Sequence, residues 1–411
     1  MAAPPAMVFS LSAIALSLRT GTFLTKERVR LWAIAFLAGF VPAIAWLIVS
    51  AHGNVDYAGR PLGTDFSSFY AAGKLALGGH SPYDQRALHH MQQALFGTTT
   101  PYYAFAYPPI FLLLAGPLAA LPYFAALIVW QGASLALYVF AMARLRRRLG
   151  AAIARDTIFF ALVLGFTATF VNLTHGQNGF LAAGLLALAL SLLDENAWAA
   201  GICFGLMAFK PQLGLLIPFA LVAGGRWRSF AAAGATVACL VALSIAVFGV
   251  QSWPAFFAAA AFSQHAILDA GAVGYDKMVS VFAWMRLWRL PPSVAYGTQI
   301  VAALAVLAAT IRLWSSAADM RTKSAGLCLG LLLVTPFALD YDLMLLAPAL
   351  LLMAAQARRR GLAPYEAALL ALLWAMPIAA RPIAAATGLP LAVWAVATAF
   401  MFVAGTSERR A

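Results

Sequence analysis

Between residues 31 and 50 the chain carries no charged side chain, and apolar stretches of this kind recur along most of its length. About 20 such residues are what a helix needs to cross the hydrocarbon of a bilayer, where every backbone polar group must be bonded within the segment. Composition agrees with that reading. Hydrophobic residues make up 63% of the 411 and charged residues 10%, against roughly 45–50% and about 25% in soluble proteins. So few charges cannot cover a soluble globule of this size, and they also exclude disorder. A net charge of +13 would ordinarily point to phosphate partners. Here the cations fall in short clusters between apolar runs, which argues against nucleic-acid binding. Cys203, Cys239 and Cys328 lie inside apolar runs without CxxC spacing. They read as small buried hydrophobes, not as a disulfide framework or zinc site. Residues 7–18 are apolar but lack a basic flank and a small-x-small cleavage site, so a surface-lying helix or partial insertion is expected there, not a signal peptide.

Apolar segmentation predicts an all-α polytopic integral membrane protein of about twelve crossings. The spans are residues 31–50, 123–143, 156–173, 178–193, 197–209, 213–224, 229–250, 294–313, 324–339, 343–356, 364–380 and 389–404. Residues 108–121, closed by Pro122, read as a juxtamembrane or re-entrant helix. The pair 197–209 and 213–224 is too short to face lipid on all sides and belongs inside the bundle. Nineteen of the 27 Lys and Arg residues then fall on one side and eight on the other, which makes the first side cytoplasmic. The resulting layout is a cytoplasmic segment 1–30, a transmembrane domain 31–404 and a cytoplasmic tail 405–411. Its outer face carries two long stretches, 51–122 and 251–293, and all six histidines. Chemistry therefore faces outward.

Several outer motifs carry candidate residues. In residues 63–84 (GTDFSSFYAAGKLALGGHSPYD), Phe66, Phe69, Tyr70 and Leu77 recur at helical spacing while Ser67, Ser68 and Lys74 face elsewhere. This predicts an amphipathic helix on the outer leaflet. Asp65 at its start is either a helix cap or a general base at the membrane surface. Tyr107 lies in the AYPP motif that opens the 108–121 helix. The turn THGQNG places His175, Gln177 and Asn178 on the outer face, where neutral donors and acceptors suit sugar hydroxyls or a tight interhelical turn. Lys210 sits between two short apolar helices with no acidic residue nearby in sequence. An ionisable group at that depth costs about 3 kcal/mol unless paired, and a lipid phosphate would pair it; the alternative is snorkelling to the interface. Asp340 and Asp342, flanking Tyr341, fit a cation site, a second acid/base pair or a solvated turn. The YDKMVS segment at 275–280, with Arg286 and Arg289, either holds anionic headgroups or marks the interface together with Trp253, Trp284 and Trp288.

The order of these motifs resembles glycosyltransferase family 87, the polyprenyl-phosphate-mannose-dependent membrane mannosyltransferases with the GT-C fold. The resemblance rests on Asp65-Phe66-x-x-Phe69-Tyr70-x-Ala72, Gly79-x-x-Pro82-Tyr83-Asp84, Tyr107-Pro108-Pro109, Gly176-Gln177-Asn178, Lys210-Pro211 before Arg226-Trp227-Arg228, and Thr335-Pro336. It implies a GT-C-like bundle with juxtamembrane helices in the first outer loop. By resemblance, Asp65 is the base that deprotonates the acceptor hydroxyl. Tyr70, Lys74, Tyr107, His175, Gln177, Asn178, Lys210, Asp340 and Asp342 then bind donor or acceptor. Many relatives carry histidines after the Thr/Ser-Pro, where this chain has Asp340, Tyr341 and Asp342. The implied reaction is inverting transfer of a hexose, mannose by family, to a lipid or glycan acceptor outside the plasma (inner) membrane. Such enzymes use no cofactor and generally no metal. The rival reading is a transporter or flippase of lipid-linked sugar precursors, which an intramembrane lysine and proline-interrupted short helices also suit.

Overall fold

A computed structural model describes residues 11–150 and 158–408. The start of the 7–18 segment, the beginning of the 156–173 span and the tail residues Arg409 and Arg410 lie outside the described residues. The described chain is helical, with isolated β-bridges as its only extended pairings.

Six of the helices are long and apolar enough to cross a membrane: Lys26–Val49, Tyr123–Arg148, Trp227–Phe248, Pro292–Ser315, Asp340–Arg360 and Glu366–Thr387. The twelve expected crossings are not reached by length and composition. Several segments instead form shorter apolar helices, among them Pro109–Ala119, Gly179–Leu192 and Ala197–Phe209. The 156–173 span breaks at Gly165 and Phe166 into Phe159–Leu164 and Thr167–His175. A 14-residue helix such as Gly179–Leu192 is only about 21 Å long, short of a hydrocarbon core of about 30 Å. It is sheltered by neighbours: most of its residues are buried, and it packs along Tyr123–Arg148.

Burial is distributed as a bilayer would require. Lys26–Val49 and Trp227–Phe248 leave most of their apolar side chains uncovered, including Trp32, Val41, Val49, Trp227 and Val247. So much exposed apolar surface is unstable in water and marks contact with lipid. Cys239 is exposed on the same kind of surface, so only Cys203 and Cys328 are buried as expected. The interior is formed by Gly179–Leu192, Met320–Leu333 and Leu346–Arg360. This is an integral membrane protein of helical type.

Close helix packing depends on missing side chains. In Ala197–Leu206 the pair Gly201 and Gly205 faces Trp227–Phe248. An added Cβ would meet the Ser229 carbonyl oxygen at 2.4 Å from Gly201 and the Ala233 carbonyl oxygen at 2.7 Å from Gly205. Small residues four apart let two backbones approach where dispersion, rather than water exclusion, holds helices together.

The stretch from residue 51 to 122 folds onto the bundle, and its helix Phe66–Leu77 is buried where an amphipathic surface helix was expected. Phe66–Leu77 is buried on nearly all sides, Ser67 and Ser68 included, because their hydroxyls donate back to the Thr64 and Asp65 carbonyls. Leu77, expected on the buried stripe, is exposed. The helix packs against Pro109–Ala119 and Gln85–Phe96. Phe66, Phe69, Tyr107, Phe111, Tyr123 and Trp130 form an aromatic core beneath it. Asp84 caps Gln85–Phe96 by accepting from the Arg86 and Ala87 amides, and Tyr83 donates to the Tyr107 carbonyl at 3.0 Å.

Candidate active site

The Asp65 carboxylate stands at the N-terminus of Phe66–Leu77 without capping it: the residue is already helical (φ −79°, ψ −26°) and makes no side-chain cap bond. Its backbone is held on both sides, with the Asp65 amide donating to the His175 carbonyl at 2.9 Å and the Ser68 hydroxyl donating to the Asp65 carbonyl. The carboxylate is left to accept Gln177 Nε2 at 2.9 Å. Lys277 Nζ lies 3.6 Å from the same oxygen, Oδ2. Asp65 is only partly exposed, with 18% of its side chain accessible. A reactant can therefore reach it, yet its orientation is fixed.

The turn after Thr167–His175 delivers Gln177. Gly176 ends that helix in the left-handed region at φ 65°, which glycine adopts without penalty. The turn is then clamped from below, as Trp130 Nε1 donates to the Gly176 carbonyl and Gln131 Nε2 to the Asn172 carbonyl. Gln177 Oε1 accepts the Asn178 amide at 3.0 Å and the Tyr107 hydroxyl at 3.4 Å. Asp65, Gln177 and Tyr107 thus form one chain of hydrogen bonds. Burial raises the Tyr107 hydroxyl pKa, so this phenol stays protonated and can donate. His175 pairs Nδ1 with Thr64 Oγ1 at 2.8 Å. Burial lowers its pKa to about 4, with nearby Asp65 opposing the shift, and its imidazole is neutral at neutral pH. Asn178 is fully buried, with its side-chain amide beside the Tyr107 hydroxyl.

Lys210 has a carboxylate partner within the bundle. Its Nζ is 2.5 Å from Asp342 Oδ1, and the two side chains are 3% and 0% exposed. The sequence hid this pair because its members are 132 residues apart. Asp342 Oδ2 accepts the Leu339 amide, and Asp340 Oδ1 accepts the Tyr341 amide. Both aspartates are buried in the 3-10 turn Asp340–Leu345, which overturns the solvated-turn reading. Among the described residues no cluster of three or more His, Cys, Asp or Glu has metal-holding geometry. Tyr341 joins the two halves: Lys210 Nζ is 4.6 Å and Lys277 Nζ 5.4 Å from its ring centroid, distances at which a cation is attracted to an aromatic face. Asn172 Nδ2 donates to the Tyr341 carbonyl while Asn172 Oδ1 accepts the Gly179 amide. A Cβ on Gly179 would meet Asn172 Oδ1 at 2.3 Å, so only glycine fits there.

The structure therefore gathers Asp65, Gln177, Tyr107 and His175 at one place, with Lys210, Asp342 and Asp340 adjoining through Tyr341 and Lys277. Two expected binding residues stay apart. The Tyr70 hydroxyl donates to the Leu121 carbonyl, and Lys74 lies over the Tyr70 ring at 5.4 Å, nine residues or about 13 Å along the helix from Asp65. Lys277 is the residue the motifs underrated. It stood out only as one cation in an outer stretch, whereas a β-bridge between Met278 and Leu339 and the Val279 amide's bond to the Ala338 carbonyl bring it to Asp65. Arg286, expected either to hold a headgroup or to mark the interface, is tied to the Tyr275 hydroxyl and the Leu290 carbonyl.

A family model described as glycosyltransferase family 87 matches residues 105–336. The chain belongs to that family. The matched region of this family 87 member holds Tyr107, His175, Gln177, Asn178, Lys210 and Lys277, while Asp65, Asp340 and Asp342 lie outside it. No curated protein and no solved structure matches the chain. Family membership makes the protein a membrane glycosyltransferase.

Proposed function

We propose that the protein transfers a hexose, mannose by family, from a polyprenyl-phosphate sugar to an acceptor hydroxyl, with inversion and with Asp65 as general base. One observation carries this reading. Asp65 is a partly exposed carboxylate, not engaged in capping, oriented by Gln177 and Lys277. In the proposed step the acceptor oxygen attacks the anomeric carbon as its proton passes to Asp65. The bond from that carbon to the phosphate oxygen breaks, and the electron pair leaves with the phosphate. A neighbouring cation stabilises the leaving charge, so one carboxylate on the acceptor side suffices.

The side of the membrane follows from cation placement: with the clusters at 144–155 and 358–360 inside, Asp65 faces out. On this reading residues 31–404 form a GT-C-like transmembrane domain in the plasma membrane, with the short buried helices completing the twelve crossings. Tyr107, Gln177 and His175 serve as positioning residues, and Asn178, buried beside Tyr107, is a binding candidate of the same cluster.

The decisive experiment gives the purified full chain, reconstituted in sealed liposomes, radiolabelled polyprenyl-phosphate mannose with membrane glycolipid extract as acceptor. Labelled product and free polyprenyl phosphate are expected. A protein that moves intact donor between leaflets without cleaving it is a flippase, and that outcome rejects the transferase reading.

A further inference from the structure

Tyr341 lies inside the cluster around Asp65, and its phenol differs from those of the other buried tyrosines. The hydroxyls of Tyr70, Tyr83, Tyr107, Tyr123 and Tyr138 each donate to a protein oxygen. Tyr341 is only 5% exposed. Its backbone is tied down, the amide donating to Asp340 Oδ1 at 2.9 Å and the carbonyl accepting Asn172 Nδ2 at 3.0 Å. Its hydroxyl, by contrast, has no hydrogen-bond partner among the described residues. A buried phenol normally has a partner. An unpaired one beside the candidate base points to a partner that arrives with the substrate.

We propose that the Tyr341 hydroxyl donates a hydrogen bond to a hydroxyl oxygen of a sugar bound at Asp65. The assignment rests on the transferase reading and adds to it a group that touches substrate. The ring is held where the sugar would meet it. Lys210 Nζ and Lys277 Nζ lie over it at 4.6 and 5.4 Å from its centroid, and a carboxylate fixes each ammonium, Asp342 the first and Asp65 the second. Base and phenol thus share one lysine. Charge selects the ligand. Asp65, Asp340 and Asp342 all act electrostatically on the hydroxyl, so an anionic oxygen is repelled there and a neutral one is not. A sugar hydroxyl also completes the pairing, because it can accept from the phenol and donate to a carboxylate, whereas an ionised phosphate oxygen can only accept. The sugar is the hexose being transferred or one on the acceptor; the hydroxyl chemistry is common to both.

The test compares wild-type and Tyr341→Phe protein in liposomes supplied with polyprenyl-phosphate mannose and membrane glycolipid extract. The substitution removes one oxygen and keeps the ring with its two cation contacts. kcat/KM is expected to fall about tenfold, the effect of one lost hydrogen bond. The unfolding temperature is expected not to drop, because the oxygen has no partner to lose within the protein. Unchanged kcat/KM overturns the proposal and leaves the transferase reading standing. A variant that unfolds at lower temperature, or does not fold, overturns it too, since the hydroxyl then serves the structure. Wild-type protein that releases no polyprenyl phosphate overturns the transferase reading itself. Monodeoxy analogues of the donor identify the sugar. One analogue that loses about tenfold with wild-type protein and nothing further in the variant places the phenol on the transferred hexose. A raised KM for the extract in the variant, with every analogue affected equally in both proteins, places it on the acceptor. Weaker inhibition by free polyprenyl phosphate in the variant, without either of these changes, puts the phenol on the phosphate and refutes the assignment.

Discussion

Lys210 and Asp342 form an ion pair of 2.5 Å in which neither side chain is more than 3% exposed. An isolated charge at such a position is strongly unfavourable, so each member is tolerable because of the other. Removing one partner leaves the other buried and uncompensated. Lys210→Met and Asp342→Leu, each alone, should lose about 3–5 kcal/mol of stability, whereas the double variant should recover most of it. Thermal unfolding of the detergent-solubilised protein checks this; a double variant no better than the worse single one contradicts it.

Asp65→Asn preserves shape and removes the proton acceptor. Transfer should fall by about 10²–10⁴, the usual contribution of a general base, with donor binding little changed. Release of labelled polyprenyl phosphate measures the first and equilibrium binding the second.

Gln177 holds Asp65 on one side and Tyr107 on the other. Tyr107→Phe should reduce kcat by roughly tenfold, as expected from one lost hydrogen bond, with little change in donor KM. The buried ring is retained, so folding should survive. A fall in affinity with kcat intact would place Tyr107 on the donor rather than on the base.

His175 has a pKa lowered to about 4 by burial, below the ordinary 6.5. The folded protein therefore prefers the neutral imidazole while the unfolded chain binds a proton already near pH 6.5. Stability from this residue is complete above that pH and declines as pH falls from about 6.5 toward 4. His175→Gln should flatten the dependence of unfolding temperature on pH across that window. No activity change between pH 6 and 8 should trace to this residue.

Gly201 has no room for a side chain beneath Ser229. Gly201→Leu should separate the helices Ala197–Leu206 and Trp227–Phe248 and cost at least about 1–3 kcal/mol, as overpacking does. The unfolding temperature reports it, with Gly234→Leu, at a position where a Cβ meets nothing, as the harmless control.

Local chemistry made part of this molecule readable. The charge-free run at 31–50 falls on the helix Lys26–Val49 and its C-cap Ser50, and the basic cluster after residue 143 ends the helix Tyr123–Arg148. The ordered motifs pointed to the family, and Asp65 with Gln177 meet at one site. Other features depended on tertiary partners that spacing does not encode. Lys210 has no acidic neighbour in sequence because Asp342 is far along the chain, and Ser67 and Ser68 fall off the apolar stripe although local bonds to carbonyls let them be buried. Lys277 came to Asp65 through the Met278–Leu339 bridge, a pairing between two loops with no periodic signature. The short helices misled by count, since an apolar stretch sheltered by neighbours need not match the bilayer's thickness.

The order in which the chain is made gives the Lys210–Asp342 pair a further role. During synthesis the ammonium emerges well before its counter-ion exists, so the half-built bundle holds a charge it cannot satisfy. Translation has to pass residue 342 before the interior can close. A product truncated short of that point keeps a polar defect in its core, the kind of flaw by which membrane quality control recognises an unfinished protein.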